Sequence, residues 1–233
     1  MSKDYCENEF ILDKKHLLRM IHELNDSNIL ANESFNLFTV DVEKLYPSIQ
    51  THLAEEAIAD LLTSIDEEEA KVGEAVKTFI KLSFDESYVT YNNRVFKPKI
   101  GIPTGGSLSQ QIADTFLHWI LFKKINTSIM NANKLRFWKR FIDDGFGIWK
   151  GMKRTFISFI TKLNKETNKY GINFTINEAE FGKTVNFLDV TLYIDENNRI
   201  QYRSYTKPTD AKRYLQPQSF HPKSVFEAIP YSQ

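Results

Sequence analysis

The chain contains the stretch Arg140-Phe141-Ile142-Asp143-Asp144-Gly145-Phe146-Gly147-Ile148-Trp149, in which two adjacent carboxylates stand between apolar segments. The pattern predicts strands over Phe137–Ile142 and Phe146–Trp149. A tight turn at Asp143-Asp144-Gly145 is expected between them, because an Asp-Gly pair tolerates the positive φ angles of short hairpin turns. The sequence therefore predicts a β-hairpin that carries two carboxylates at its tip.

A third carboxylate lies near the end of another apolar run, Phe35 to Val42, which predicts a buried strand ending near Asp41. A buried carboxylate is costly without a partner, so Asp41 in such a run indicates a cation or a counter-charge. Carboxylates at strand ends suit phosphoryl or nucleotidyl transfer with two divalent cations. Adjacent strand residues point to opposite faces, so one residue of the Asp143-Asp144 pair should face Asp41 and the other support it. The alternative is structural: Asp144 forms the turn, while Asp143 and Asp41 cap strand ends.

The rest of the chain alternates helical and strand patterns. Helices are predicted at Ile11–Leu24, Leu53–Leu62, Val72–Leu82, Leu108–Ile125 (capped by Ser107 or Ser109), and from about Phe156 to just before Gly171. Further strands are predicted at Ile172–Ile176, Val185–Ile194 and Ile200–Tyr205, with a hairpin over Val89–Phe96 that turns at Asn92-Asn93. This order predicts an α+β fold, a four-stranded antiparallel sheet backed by helices on one face, with a C-terminal β-hairpin.

The composition restricts the class of protein. The 233 residues fit one or two domains, and no apolar run approaches the roughly 20 residues that span a bilayer. The single cysteine, Cys6, cannot form an internal disulfide, so we expect an intracellular protein. The formal net charge is zero, yet Asp41 to Glu74 is mostly acidic, and Lys134 to Arg154 and Arg199 to Lys223 are mostly basic. Such a chain can bind a polyanion on one side, although each stretch can also be a solvated face.

Three segments resemble motifs of reverse transcriptases, in the same order and spacing. Phe38-Thr39-Val40-Asp41-Val42-Glu43-Lys44-Leu45-Tyr46-Pro47-Ser48-Ile49 looks like their first catalytic motif. Gly101-Ile102-Pro103-Thr104-Gly105-Gly106-Ser107-Leu108-Ser109 is similar to their glycine-rich template and nucleotide motif, and Arg140 to Trp149 to their metal-binding hairpin. The flanks resemble Penelope-like retroelements, and telomerase more than retroviral enzymes; they are Val89–Phe96, Ile148-Trp149, Asn186–Val190 and Ile229–Gln233.

The resemblance implies a polymerase palm, with a ferredoxin-like or RRM-like antiparallel sheet backed by helices. It implies a helical lead-in over 1–34, the palm over 35–184, and a primer-grip-like hairpin with the start of a thumb connection over 185–233. The implied activity is that of an RNA-directed DNA polymerase that uses two Mg²⁺ or Mn²⁺ ions. The implied partners are an RNA template, a DNA primer and deoxynucleoside triphosphates, with no membrane, and the expected location is the nucleus, with the cytoplasm as the alternative.

The same resemblance assigns the core of the site. Asp41, Asp143 and Asp144 would hold the metals, with the Val42 carbonyl as a backbone ligand. Tyr46 would be the aromatic gate that leaves no room for a ribose 2′-hydroxyl; its alternative is an ordinary core tyrosine.

Further residues are assigned to substrates and nucleic acid. Thr104, Gly105 and Gly106 would let the backbone approach the template or the incoming base, since glycine has no Cβ to clash. Lys183 would protonate the leaving pyrophosphate or would simply be a solvated lysine. The predicted nucleic-acid contacts lie on a primer-gripping hairpin over Phe187 to Tyr205 and beyond it: Phe187, Leu188, Arg203, Lys207, Lys212 and Arg213, with Tyr202, Tyr205 and Tyr214 available to stack.

The resemblance is incomplete, which leaves alternatives open. We find no counterpart of the family's fingers motifs before Asp41, nor of its thumb or GIY-YIG endonuclease, so we expect a palm without its neighbours. Gly106 stands where a proline is commoner. The alternatives to an active reverse transcriptase are an inactive nucleic-acid-binding remnant, an unrelated α+β interaction domain, and a related viral or intron-encoded polymerase.

Overall fold

A computed structural model describes residues 10–27, 30, 34–62, 67–130, 132–176, 181–209, 215–216 and 218–228, without the side chains of 67–72 and 127. In chain order the helices are α1 (Lys14–Asp26), α2 (Leu45–Ser48), α3 (Thr51–Leu62), α4 (Glu67–Asp85), α5 (Ser109–Trp119), α6 (Thr127–Met130), α7 (Lys153–Thr167) and α8 (Lys223–Ala228). The strands are β1 (Asn36–Val42), β2 (Val89–Tyr91), β3 (Arg94–Phe96), β4 (Leu135–Phe141), β5 (Asp144–Trp149), β6 (Phe174–Thr175), β7 (Phe181–Gly182), β8 (Thr184–Phe187), β9 (Val190–Ile194) and β10 (Ile200–Ser204).

The central sheet is antiparallel and has the order β4-β5-β1-β6, with β7 also pairing with β1. Strand β1 therefore lies inside the sheet, between β5 on one side and β6 and β7 on the other. The β1–β5 pairing runs from Asn36 opposite Trp149 to Val40 opposite Gly145. This confirms the predicted α+β fold with an antiparallel sheet, and adds β7 to the four strands that we expected.

Both faces of the central sheet are covered. Phe38, Val40 and Val42 of β1 lie in a core with residues of α3, α4, α5 and α7. Leu37 and neighbouring residues of β5 lie in a second core with α1 and the sheet β8-β9-β10. We predicted helices on one face and a C-terminal hairpin; the structure also has α1 and the sheet β8-β9-β10 on the other face. The second face carries apolar residues on β1 and β5, so it requires a cover.

The C-terminal sheet differs from the prediction in one further respect. The segment Val185–Ile194 is two strands, because the chain turns at Leu188, which has a φ of 51°. Helix α5 also begins differently: its N-cap residue is Leu108, and no side-chain hydrogen bond caps it. The hydroxyl of Ser109, one of the two predicted caps, donates instead to the carbonyl of Pro103 at 2.6 Å.

Several local predictions are confirmed. The hairpin β2–β3 turns at Asn92 and Asn93, with φ angles of 49° and 56° that fit a type I′ turn. Gly171 ends the helical segment after α7 with a φ of 81°.

In the part of the chain that the structure describes, no helix is long and apolar enough to cross a membrane. Lys212, Arg213, Tyr214 and the closing segment Ile229–Gln233 lie outside the described residues.

Two glycines of β5 allow β1 and β5 to pack closely. A Cβ atom at Gly147 would overlap the ring of Phe38 and the carbonyl of Phe137. A Cβ atom at Gly145 would lie 2.7 Å from the Cγ2 atom of Val40. The side chains of β1 therefore occupy the space that β5 leaves empty, and this fixes which residues lie opposite each other.

We predict that Gly147→Ala lowers the free energy of unfolding by about 1–3 kcal/mol, because the added methyl group forces Phe38 out of its position. Gly73→Ala in α4 is the matched control. Its Cβ would meet Leu62 at an ordinary 3.7 Å, and alanine favours the helix by roughly 0.5–1 kcal/mol. Urea denaturation followed by circular dichroism measures both. Equal stability of the two variants would contradict the packing described for β1 and β5.

Candidate active site

Asp41 and Asp144 are cross-strand neighbours. The pairing of β1 with β5 ends formally at Val40 opposite Gly145, but the N–H group of Val42 still donates to the carbonyl of Asp143 at 3.2 Å. The register therefore continues by two residues and places Asp41 opposite Asp144. Directly opposed residues of antiparallel strands have Cα atoms about 4.5–5.5 Å apart. Of the two hairpin carboxylates, Asp144 is thus the one across the sheet from Asp41.

The hairpin turn comes earlier in the sequence than the predicted Asp143-Asp144-Gly145. Phe141 lies opposite Asp144, so the two residues of the turn are Ile142 and Asp143. Gly145 is inside β5, where its missing Cβ makes room for Val40. Ile142 has a φ of 56°, a left-handed conformation that is unusual and costly for a β-branched residue. The turn therefore needs support from its surroundings.

That support comes from Arg140, whose side chain is fully buried. Its Nη1 atom donates to the carbonyl of Ile142 at 2.9 Å and lies 3.8 Å from a carboxylate oxygen of Asp114 on α5. The guanidinium also lies 5.0 Å from the ring centre of Phe10. A buried guanidinium is tolerable only with such partners, so Arg140 joins the hairpin tip to α5. Sequence reasoning missed this role, because the pairing joins residues 26 positions apart.

The carboxylates are more exposed than we predicted for Asp41 in an apolar strand. Asp41 is exposed, and Asp143 and Asp144 are half-buried. Burial in an apolar run was therefore the wrong argument for a cation at Asp41. The run ends at the surface, and Asp41 lies at that end.

The carboxylates of Asp41, Asp143 and Asp144 are the kind of ligand that a hard divalent cation takes when it binds together with a phosphate-containing substrate. Among the residues that the structure describes, no group of three or more His, Cys, Asp or Glu side chains could hold a metal ion. Mg²⁺, however, usually takes one or two protein carboxylates and fills its other positions with water and phosphate oxygens. Asp41 and Asp144, as accessible cross-strand neighbours with Asp143 adjacent, offer such a set.

The glycine-rich loop docks on the segment that follows β1. The N–H group of Gly101 donates to the carbonyl of Ile49 at 2.9 Å, and that of Ile102 to the carbonyl of Tyr46 at 3.0 Å. Gly101 has a φ of 94°, and a Cβ there would lie 3.0 Å from the Cα of Pro47. These contacts hold the loop beside Tyr46.

Thr104, Gly105 and Gly106 are exposed beyond this docking point. Gly105 has a φ of 87° with open space around the position of its missing Cβ, so its conformation is what requires glycine there. Gly106 is restricted differently, because a Cβ atom would lie 2.5 Å from the hydroxyl oxygen of Ser109. The loop thus presents accessible backbone with little side-chain bulk.

Tyr46 lies within the electrostatic influence of the hairpin tip. Burial raises the pKa of its phenol above the ordinary value, and the negative charges of Asp114 and Asp143 raise this pKa further. The phenol is half-buried. Tyr46, Asp114 and Asp143 therefore share one neighbourhood, between α2, α5 and the hairpin.

The structure does not bring Lys183 to the carboxylates. Its ammonium group donates to the carbonyl of Phe35 at 2.8 Å and lies over the ring of that residue. Phe35 is six residues before Asp41 on extended chain, which corresponds to about 20 Å. In this conformation Lys183 anchors the start of β1 and cannot reach a phosphate near Asp41.

The predicted nucleic-acid contacts of the C-terminal sheet separate into buried and exposed residues. Phe187 is only 4% exposed and packs on Phe146, so its side chain is a core residue and cannot contact nucleic acid. Leu188 is half-buried at the turn between β8 and β9. Arg203 and Lys207 are exposed, and Arg203 lies over the ring of Tyr193.

Replacing Asp143 with asparagine should lower the pKa of Tyr46, because it removes one of the negative charges that disfavour the phenolate. Titration of ¹³Cζ-labelled tyrosine by NMR measures this pKa directly. Asp26→Asn, which alters an exposed carboxylate paired with Arg199, is the control and should leave Tyr46 unchanged. An unaltered Tyr46 titration in Asp143→Asn would mean that the hairpin tip does not face Tyr46.

Comparison with known proteins gives a consistent result for the fold. No protein-family model matches the sequence, and neither does any curated protein. Solved structures do match. The apo telomerase of Candida tropicalis superposes with a TM-score of 0.66 at 15% identity, over 87% of this chain and 37% of that chain.

Two further telomerase structures match similarly. Telomerase from Candida tropicalis in complex with the TWJ fragment of telomeric RNA gives a TM-score of 0.65 at 16% identity, over 99% of this chain and 38% of that one. The corresponding complex from Candida albicans gives 0.64 at 12% identity, over 86% and 36%. The chain thus spans little more than a third of each telomerase. At these identities the likeness concerns the fold alone: the chain has an α+β fold that resembles the palm of nucleic-acid polymerases.

Proposed function

We propose that this chain is the palm of an RNA-directed DNA polymerase, of the kind encoded by Penelope-like retroelements. The observation that carries the proposal is the register of β1 and β5, which puts Asp41 beside Asp144 at the accessible end of a polymerase-like sheet. The order of the three motifs in the sequence supports a reverse transcriptase among polymerases. The flanking segments, which resemble Penelope-like elements, support that subgroup.

The proposed reaction is attack of a primer 3′-hydroxyl on the α-phosphate of a deoxynucleoside triphosphate, which extends the primer and releases pyrophosphate. Asp41, Asp143 and Asp144, with the Val42 carbonyl, are the groups that would hold two Mg²⁺ or Mn²⁺ ions. Bound there, such ions would lower the pKa of the hydroxyl and neutralise the charge that develops at the phosphate.

The other residues of the site have positioning roles in this proposal. Tyr46 would lie under the sugar of the incoming nucleotide and exclude a 2′-hydroxyl by its bulk. Thr104, Gly105 and Gly106 would pass close to the template or the incoming base. Arg140 would keep Ile142 and the adjacent Asp143 in place through its hydrogen bond and its contact with Asp114.

Nucleic-acid contacts are also part of the proposal. Arg203 and Lys207 are exposed on and after β10, where they can meet a phosphate backbone. Phe187 supports that sheet from inside the core and is not proposed as a contact. Lys183 is not proposed as the acid that protonates pyrophosphate, because it is held at the start of β1. The protein would act in the nucleus on an RNA template and a DNA primer.

Primer extension on an RNA template tests the proposal. The unsubstituted chain should extend a labelled DNA primer with deoxynucleotides and Mg²⁺ or Mn²⁺, and Asp143→Asn should reduce extension by at least about a hundredfold, the scale of losing one group that stabilises transition-state charge. Asp26→Asn should extend like the unsubstituted chain. Because the chain covers about a third of a telomerase, the assay is repeated with a fingers segment of a related enzyme fused to it. No extension by either form would refute the polymerase activity and favour an inactive nucleic-acid-binding remnant.

A further inference from the structure

The hairpin β2–β3 stands apart from the rest of the described sheets. Its two strands pair with each other and with no other described strand, and every residue in them is exposed. An isolated two-stranded hairpin is only marginally stable in water. Its Asn92-Asn93 turn and an ion pair of 3.2 Å between Lys97 and Asp85 at the end of α4 hold it in place. The hairpin is therefore a projection with uncovered faces.

One face of the hairpin combines aromatic rings with a cation. Val89 lies opposite Phe96, and Tyr91 lies opposite Arg94. Directly opposed residues share a face, and side chains alternate along each strand, so these four side chains are on the same side. Tyr91 is 78% exposed and Phe96 is 47% exposed. Large apolar groups gathered on an exposed surface indicate a binding partner.

The charge of the segment indicates what that partner is. Between Tyr88 and Ile100 the sequence has three cations, Arg94, Lys97 and Lys99, and no carboxylate, in a chain whose net charge is zero. Lys97 is engaged by Asp85, whereas Arg94 and Lys99 form no ion pair within the described part of the chain. The local excess of positive charge is complementary to a polyanion.

The exposed aromatic rings of the hairpin favour a single-stranded nucleic acid over a double helix. In a double helix the faces of the bases are stacked on each other and cannot reach a side-chain ring. In a single strand they are available, and stacking on Tyr or Phe combined with Lys or Arg contacts to phosphates is how proteins bind unpaired nucleic acid. A protein strand added to the hairpin edge would use main-chain hydrogen bonds and would need neither the rings nor the cations.

The chain connects this hairpin to the candidate active site. Ile102, whose N–H group donates to the carbonyl of Tyr46, lies six positions after Phe96. Six residues reach at most about 20 Å, a length that a few nucleotides can cover. A single strand of a few nucleotides can therefore reach from the end of the hairpin to the segment around Tyr46.

We propose that the β2–β3 hairpin binds the unpaired RNA template next to the active site, with bases stacked on Tyr91 and Phe96 and a phosphate bound by Arg94. That the strand is an RNA template rests on the proposed function; that it is an unpaired nucleic acid rests on the hairpin itself. The rings would act by stacking, and Arg94 would act by an electrostatic contact that salt weakens. The contributions of Tyr91 and Arg94 can therefore be measured separately.

Fluorescence anisotropy with a labelled uridine oligoribonucleotide of about 15 nucleotides, at several salt concentrations, is the test. Tyr91→Ala should weaken binding roughly fivefold or more, because the substitution removes a ring on which a base stacks. The salt dependence should not change, because the substitution removes no charge. Arg94→Gln should reduce the slope of log affinity against log salt by about 0.7, the value for one phosphate contact on a single strand. Tyr91→Phe should bind normally, since it keeps the ring.

Arg154→Gln is the matched control: it removes an exposed cation from α7, on the helix-covered side of the sheet, and should change neither quantity. The proposal is overturned if Tyr91→Ala and Arg94→Gln bind RNA like the unsubstituted chain. It is also overturned if Tyr91→Ala weakens binding to duplex RNA equally, or if these variants lose only self-association on a sizing column, which would make the hairpin a protein interface.

The outcome is separable from that of the polymerase assay, because RNA binding needs no catalysis. Asp143→Asn should retain full RNA affinity and the same sensitivity to Tyr91→Ala. Primer extension with normal RNA binding by the hairpin variants would leave the proposed function standing and remove this inference. Loss of RNA affinity in those variants, without extension by any form of the chain, would support RNA binding by the hairpin and refute the polymerase activity.

Discussion

The close pairing of β1 with β5 determines where the carboxylates and the two cores lie. Gly147 and Gly145 leave room for the side chains of Phe38 and Val40, so the register between the strands has no freedom. A slip by one residue would turn every side chain of β1 to the other face of the sheet. Because the register is fixed, Asp41 comes to lie opposite Asp144, and the two cores on either side of the sheet receive their apolar residues.

A second set of contacts connects this strand pair to the helices. Arg140 on β4 supports the strained turn at Ile142 and meets Asp114 on α5, the helix that begins at the end of the glycine-rich loop. The loop in turn is bonded to the carbonyl of Tyr46 just after β1. The carboxylates, the loop and Tyr46 are therefore held by one continuous network of contacts. Because Asp114 on α5 contacts Arg140, a displacement of α5 would alter the support of the turn at Ile142.

Local patterns in the sequence were sufficient to predict most helices and strands. They were insufficient where contacts between residues far apart in the sequence determine the structure. An apolar run predicted β1, turn residues between apolar segments predicted the hairpins, and the helical spacing of apolar residues predicted α7. These signals lie within a few neighbouring positions. The turn at Ile142 was missed because a local rule favours Asp-Gly, whereas Gly145 is required by Val40 on another strand. The burial of Phe187 and the anchoring of Lys183 on Phe35 were missed for the same reason. The roles of the carboxylates, the metals and the division at residues 34 and 184 stay predictions.

We propose that Asp41, Asp143 and Asp144 together bind divalent cations at the end of β1 and β5. Paramagnetic broadening of ¹H–¹⁵N amide signals by substoichiometric Mn²⁺ tests it most directly, since the effect is confined to nuclei near the ion and requires no catalysis. We expect the amides of Val42 and of the hairpin tip to broaden first, and Asp41→Asn to abolish this selectivity. Broadening spread evenly over exposed carboxylates such as Glu55 and Asp26, or unchanged in Asp41→Asn, would contradict the claim.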